Sequence, residues 1–381
     1  MRLDVHHGDE TASFLGLDHA ARMRWRRLAK GSGYALVVLG GLSLLPPVQA
    51  RAKAIAVLVE ALGGDFPRPF AADVTRSGVL MGGVTGDLYD PGGPAPAIIL
   101  VPGAAIEGRA DDRVVRVARA LARARRVVFV PNLELFERRF EPVDVDRLVA
   151  ATQALLDDER VDGGVSMLGF SYGGSFALLA AADPRISANI EQIATFGAYF
   201  DMRGVVQALT TGVSLVDGRR FPWEPHPDAA RIVRQQATSA VPESQRDLLR
   251  RALDVGIDRS ELPQQARAVL DVLENRDPRR TFELVEQLPS ETRDLLERFS
   301  PATVAGRIET PVLALHSTDD PAVPYGEAVR LAGAMPGARL LTVSVFRHVD
   351  LKSGSLSDWL AAGDDLFTVW RFVSAMISAQ E

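Results

Sequence analysis

The chain has 381 residues, 47% hydrophobic and 24% charged, the balance of a globular protein long enough to bury a large core. A net charge of −6 with no clustered basic face argues against nucleic acid as a partner. The absence of Cys excludes disulfides, thiolate metal sites, a Cys nucleophile and a Cys-borne lipid.

Residues 1–32 form a polar and basic tail in which Arg22, Arg24, Arg26, Arg27 and Lys30 lead into the uncharged run Gly31–Ala50. That run approaches the roughly 20 residues a hydrocarbon core requires, and a basic block ahead of it favours a cytoplasmic N-terminus. A transmembrane anchor over 33–50 is therefore expected, with the catalytic part outside the cytoplasm. The alternatives are a signal segment cleaved after Ala50, for which Val48 and Ala50 are suitably small, and a buried or interfacial helix. Residues 51–64 read as an amphipathic connector lying on the membrane or on the domain that follows.

From Asp65 short apolar runs alternate with helix-period segments, the pattern of a mostly parallel sheet covered on both faces. Val79–Tyr89, interrupted by glycines, predicts an opening antiparallel pair. Further strands are expected at 97–101, 126–130, 165–170, 192–196, 311–316 and 338–345, and helices at 111–124, 143–158, 172–182, 325–334 and 364–378. Between 203 and 300 no convincing strand appears, only charged helical segments. This interval reads as a helical cap inserted into an α/β core formed by 65–202 and 301–381.

The stretch VSMLGFSYGGSFALLAAADP sets an apolar strand, then Gly169-Phe170-Ser171-Tyr172-Gly173, then an Ala/Leu-rich helix, the strand–turn–helix context of a nucleophile elbow. A sharp turn strains Ser171, and Gly169 and Gly173 relieve crowding around it. A serine hydroxyl also needs a base, and the base a carboxylate that fixes its tautomer. Asp319 and Asp320 follow the strand in TPVLALHSTDDPAVP, and His348 follows the strand in ARLLTVSVFRHVD, both at the C-terminal edge where open α/β sheets build sites. Ser171 is the candidate nucleophile, Asp320 the acid and His348 the base, with Asp319 and Asp201 as rival acids. His316, at a strand end, is read as structural. Backbone donors for an oxyanion are expected from Tyr172 and, after VPGA, from Ala104. No His-x-x-x-His or His/carboxylate pairing has metal-ligand spacing, so no metal is expected.

Taken in order, VPGA, GFSYGG, SPATVAGRIETPVLALHSTDDPAVP and FRHVD resemble the α/β-hydrolase superfamily, and most of all its dienelactone-hydrolase-like and prolyl-oligopeptidase-like serine esterase branches, over about Gly82 to Ser378. The resemblance implies hydrolysis of an ester or related acyl compound through an acyl-enzyme, without a cofactor, with the roles above carried to Ser171, Asp320, His348, Ala104 and Tyr172. Relatives commonly carry His-Gly where this chain has Pro102-Gly103, and often His-Gly where it has His316-Ser317. The expected partner is a small-molecule ester or acyl substrate held under the cap. A peptidase or thioesterase on the same triad, and a non-catalytic tethered binding protein, are the alternatives.

Overall fold

The computed structural model describes residues 46–67, 71–103, 107–134, 142–226, 238, 241–344, 346–348, 350–351 and 363–378. The chain divides into two compact units, Met1–Ala52 and Lys53–Glu381. The expected membrane or signal segment 33–50 lies outside the described residues except for its last five. Those five belong to α1 (Pro46–Ala61). Among the described residues no helix is long and apolar enough to cross a membrane.

In the second unit eight strands form one sheet: β1 (Thr75–Met81), β2 (Val84–Asp90), β3 (Ala95–Val101), β4 (Val127–Pro131), β5 (Val161–Phe170), β6 (Ile190–Phe196), and, after the hairpin strands below, β9 (Val312–Ser317) and β10 (Ala338–Val343). Their order is β1-β2-β4-β3-β5-β6-β9-β10; β1 and β2 pair antiparallel, β2 joins β4 antiparallel, and every pairing from β4 to β10 is parallel. The central strands read as near-continuous apolar runs because helices cover both faces: β4 is buried throughout and β3 nearly so. These helices are α2 (Asp112–Arg123), α3 (Val143–Leu156), α4 (Tyr172–Ala181) and, after the cap, α10 (Tyr325–Ala334) and α11 (Gly363–Ser378). Leu148, Leu155, Phe176 and Phe129 are among the largest side chains packed in the core between sheet and helices.

The interval 203–300 is helical with one correction. α5 (Met202–Thr211) leads into the antiparallel hairpin β7 (Val213–Val216) and β8 (Arg219–Pro222), which the sequence reading missed. Asp217 and Gly218 at its tip take positive φ, 48° and 76°, as a tight two-residue hairpin turn demands. The Asp-Gly pair flanked by alternating residues was the available signal. Then α6 (Glu243–Val255), α7 (Gln264–Glu274), α8 (Thr281–Glu286) and α9 (Ser290–Arg298) build the rest of the cap. Leu249, Leu262, Ala266, Val269, Leu284 and Val285 give it a hydrophobic cluster of its own. After β10 the short strands β11 (Phe346–Arg347) and β12 (Asp350–Leu351) pair around His348.

Candidate active site

β5 ends at Phe170 and α4 begins at Tyr172, which leaves Ser171 alone in the turn with φ 53° and ψ −132°, a conformation sparsely populated for any residue with a Cβ. The strain is held from two sides: Ser171 N–H donates to the Phe196 carbonyl at the end of β6 (2.7 Å), and Gly174 N–H donates to the Ser171 carbonyl (3.0 Å). A Cβ on Gly169 would strike the backbone of Gly173 and Gly174, and one on Gly173 would strike the carbonyls of Val101 and Pro102, all well inside 3.0 Å. Crowding across the elbow thus accounts for Gly169. Gly173 answers to a different neighbour, the exit of β3, on which the first turn of α4 rests.

That exit also carries Gly103, where a Cβ would stand 2.9 Å from Ser171 Cβ, so Gly103 lies directly against the serine. Ala104, the expected second oxyanion donor, lies outside the described residues. Tyr172 is the first residue of α4, and its backbone N–H sits at the positive end of that helix. Burial pushes its phenol up to about 12, with the Asp320 charge adding to the effect, so the side chain stays protonated; its ring meets Tyr199 edge-on at 5.1 Å. Beyond the loop, Arg109 and Arg76 (2.6 Å) both pair with the buried Asp87 of β2, fixing the far end of the β3 exit to the sheet. Nothing in the sequence singled out this pairing.

Asp320 follows β9 and is 1% exposed. Its Oδ1 accepts the backbone N–H groups of Ala322 (2.8 Å) and Val323 (2.9 Å), and its Oδ2 faces His348 Nδ1 at 2.6 Å. Burial pushes this carboxyl up. The hydrogen bond from His348, the charges of His348 and His316, and the Val323 N–H together outweigh it and hold the carboxyl below its ordinary value. An ionised carboxylate only accepts, so Nδ1 of His348 is the donor in this contact. His348 itself takes φ 62° at the turn between β11 and β12. Both groups lie against Gly197, where a Cβ would stand 3.1 Å from His348 Cε1 and 3.3 Å from Asp320 Oδ2. The preceding residue, Phe196, accepts the Ser171 N–H, so Ser171 and the Asp320–His348 pair border adjacent residues of the β6 exit. Among the described residues Ser171 Oγ makes no hydrogen bond; bonds of this kind tighten when substrate is bound.

The rival acids are occupied elsewhere. Asp201 caps α5, accepting from Arg203 N–H (2.9 Å) and pairing with the Arg203 guanidinium (2.9 Å). Asp319 is exposed and accepts from the Thr318 hydroxyl (2.6 Å). His316 is buried, which pushes its pKa down, and its Nε2–H donates to the Val323 carbonyl at 3.1 Å, bracing the acid loop.

Three further residues bear on the site. Ser317, at the place where relatives often carry Gly, donates its hydroxyl to the Phe346 carbonyl (2.7 Å) and so ties the acid-bearing strand to the histidine hairpin. Trp223, just after the cap hairpin, donates its indole N–H to the Asp320 carbonyl (2.6 Å), while His226 N–H donates to the Pro321 carbonyl (2.8 Å). The cap therefore grips the acid loop by its backbone. Trp223→Phe keeps a ring and removes the donor, leaving a buried carbonyl unpaired at a cost of about 1–3 kcal/mol. The expected result is a fall in turnover of about 10-fold or more with the fold retained, read by steady-state kinetics beside a thermal melt.

Glu327 on α10 is fully buried; its Oε2 accepts from the N–H groups of Asp201 (2.7 Å) and Phe200 (3.1 Å), and its Oε1 lies 3.2 Å from Arg330 Nε without an aligned hydrogen bond. Burial pushes its pKa from 4.5 up to about 7, against the opposing Arg330 charge. The unfolded chain ionises first, so the stability this group contributes is fully present below about pH 4.5 and is lost as pH rises towards 7, a change of about 3 kcal/mol over the window. Glu327→Gln should flatten that dependence: the melting temperature of the variant, relative to the parent chain, rises between about pH 5 and 8. A difference that stays constant with pH would place the proton elsewhere.

Residues 286–355, from the end of the cap through the acid and histidine, match the family model described as TAP-like protein, an α/β-hydrolase family. A 138-residue stretch is 33% identical to the polyketide synthase ThaQ of Burkholderia thailandensis; it covers 35% of this chain and 6% of that protein, so the chain spans a small part of that relative. Among solved structures, the meta-cleavage product hydrolase CumD of Pseudomonas fluorescens IP01 is similar at 17% identity over 79% of this chain and 98% of that one, TM-score 0.41. The dienelactone hydrolase of Anabaena variabilis is similar at 14% identity over 78% and 96%, TM-score 0.41. Est1E of Butyrivibrio proteoclasticus is similar at 16% identity over 81% and 99%, TM-score 0.41.

Proposed function

We propose that the chain is a hydrolase of the α/β-hydrolase type that cleaves a carboxylic ester or related acyl bond, with Ser171 as nucleophile, His348 as base and Asp320 as acid. The observation that carries this reading is the 2.6 Å contact of His348 Nδ1 with a buried, doubly amide-bonded Asp320, set beside a strained serine at the β6 exit. In the acylation step His348 Nε2 takes the Ser171 proton as Oγ bonds to the acyl carbon. The charge that develops on the carbonyl oxygen faces Tyr172 N–H and the loop after Gly103, with Ala104 as the second donor. The imidazolium then gives its proton to the leaving alkoxide as the C–O bond breaks. Water enters by the same route in reverse and frees the acid and Ser171.

The test is labelling with a fluorophosphonate, which reacts only with an activated serine. Parent protein is expected to label, and Ser171→Ala and His348→Ala to lose labelling and hydrolysis of p-nitrophenyl esters. Labelling that survives either substitution overturns the assignment. Parallel thioester and peptide substrates decide which acyl bond the cap accommodates. From the sequence of residues 22–50 we also propose that the chain is held at a membrane through its N-terminal part, with the hydrolase outside the cytoplasm.

A further inference from the structure

The described helix that follows this N-terminal part has its polarity inverted. Over residues 53–62 the charged Glu60 points inward and is 1% exposed, its Oε1 accepting from Arg119 (2.5 Å) and Arg123 (2.9 Å) of α2. Ala54, Ala56 and Val57 share that buried side. Outward, at spacings of four and three residues, stand Ile55, Val59 and Leu62, exposed by 55%, 39% and 45%. Isolated exposed hydrophobics are ordinary. An apolar row on the outer face of a helix whose acidic residue is turned inside is not.

We propose that this outer row is a membrane-contact face, seated in the interfacial layer of an anionic lipid bilayer; the inference rests on the membrane reading above and names the part of the folded domain that meets the lipid. Three observations select lipid as the occupant. The chain reaches the helix directly from an uncharged run, and five basic residues between Arg22 and Lys30 stand before that run, a charge suited to anionic headgroups. Pro46 and Pro47 stand in the first turn of the helix, where the fixed φ of proline suits a helix start, and a helix with an apolar outer row can lie in the interfacial plane. Three side chains are also far too few for a stable interface between two copies, which needs roughly 800 Å² from each partner, whereas hydrocarbon accepts an apolar face without shape complementarity. The Glu60 pairings fix the helix to the domain, so lipid contact would hold the hydrolase close to the bilayer.

The chain has no Cys, so Ile55→Cys, Val59→Cys and, as a control on the 77%-exposed cap position, Val255→Cys each give a single labelling site in the full chain. With an environment-sensitive fluorophore on each, the proteins are mixed with phosphatidylcholine/phosphatidylglycerol vesicles with and without doxyl-labelled lipid, and flotation is run in parallel. Labels at 55 and 59 are expected to shift to shorter emission wavelength on adding vesicles and to be quenched several-fold more by doxyl-lipid than the label at 255. A chain that floats while its labels at 55 and 59 stay water-like overturns this inference and leaves the membrane reading standing. Labels already shielded before vesicles are added, and untouched by doxyl-lipid, show a protein segment or a second copy on the row and also overturn it. A chain that does not float overturns both readings. None of these outcomes bears on the fluorophosphonate result.

Discussion

Asp320→Asn is expected to lower turnover by about 10⁴-fold while the fold survives. The two backbone donors at Oδ1, Ala322 and Val323 N–H, remain satisfied by an amide oxygen. The amide nitrogen then faces His348 Nδ1, which must become an acceptor, and the ring proton moves to Nε2, the atom that has to receive the Ser171 proton. The error is one of tautomer, so melting temperature should change little and substrate binding less than turnover. Asp201→Asn and Asp319→Asn serve as controls. Asn caps a helix about as well as Asp, and Asp319 is exposed, so both should keep turnover within a factor of a few. A loss in either of these with activity retained in Asp320→Asn would move the acid to that residue and overturn the assignment.

The largest stability effect is expected from Gly173→Ala. The added methyl has no flexible neighbour to displace, because it meets the backbone carbonyls of Val101 and Pro102 at the end of a central strand. Relief requires α4 to lift off β3, and α4 is buried along nearly its whole length, so a loss of about 3 kcal/mol or more is expected, with little soluble protein. Denaturant unfolding of whatever folds gives the number. Ala at Gly333, where nothing lies within 4 Å of the added methyl on the exposed side of α10, should be neutral or slightly stabilising and controls for helix propensity. Equal behaviour of the two variants would mean that the close approach at the elbow is not what Gly173 provides.

Much of the fold was legible in the sequence because its signals are local. A buried parallel strand must be an apolar run and a covering helix must show a 3.6-residue period, so α10 was placed at its observed ends and β3, β9 and α4 to within two residues. The strand–turn–helix around Ser171 carries its glycines in the same short stretch, and Asp320 and His348 follow their strands because the sheet's C-terminal edge is where the chain turns. The β7–β8 hairpin was missed although Asp217-Gly218 marks its tip, since four-residue strands in a charged interval offer too short an alternation to stand out.

Which of these residues touch is settled by packing in three dimensions. Asp319 and Asp320 are neighbours in sequence and equal in chemistry; the backbone of the loop turns one to solvent and buries the other between Gly197 and two amide groups. Trp223 reaches Asp320 across 97 residues, Glu327 reaches Phe200 across 127, and Glu60 reaches Arg119 across 59. No periodicity records such contacts, because a hydrogen bond depends on where folding places two groups in space and not on their separation along the chain. The order of the elements, and the chemistry each carries to the sheet edge, are written locally along the chain. The packing of cap, acid loop and histidine hairpin determined which acid faces the base, since only there do burial, amide donors and the imidazole act on one carboxylate at once.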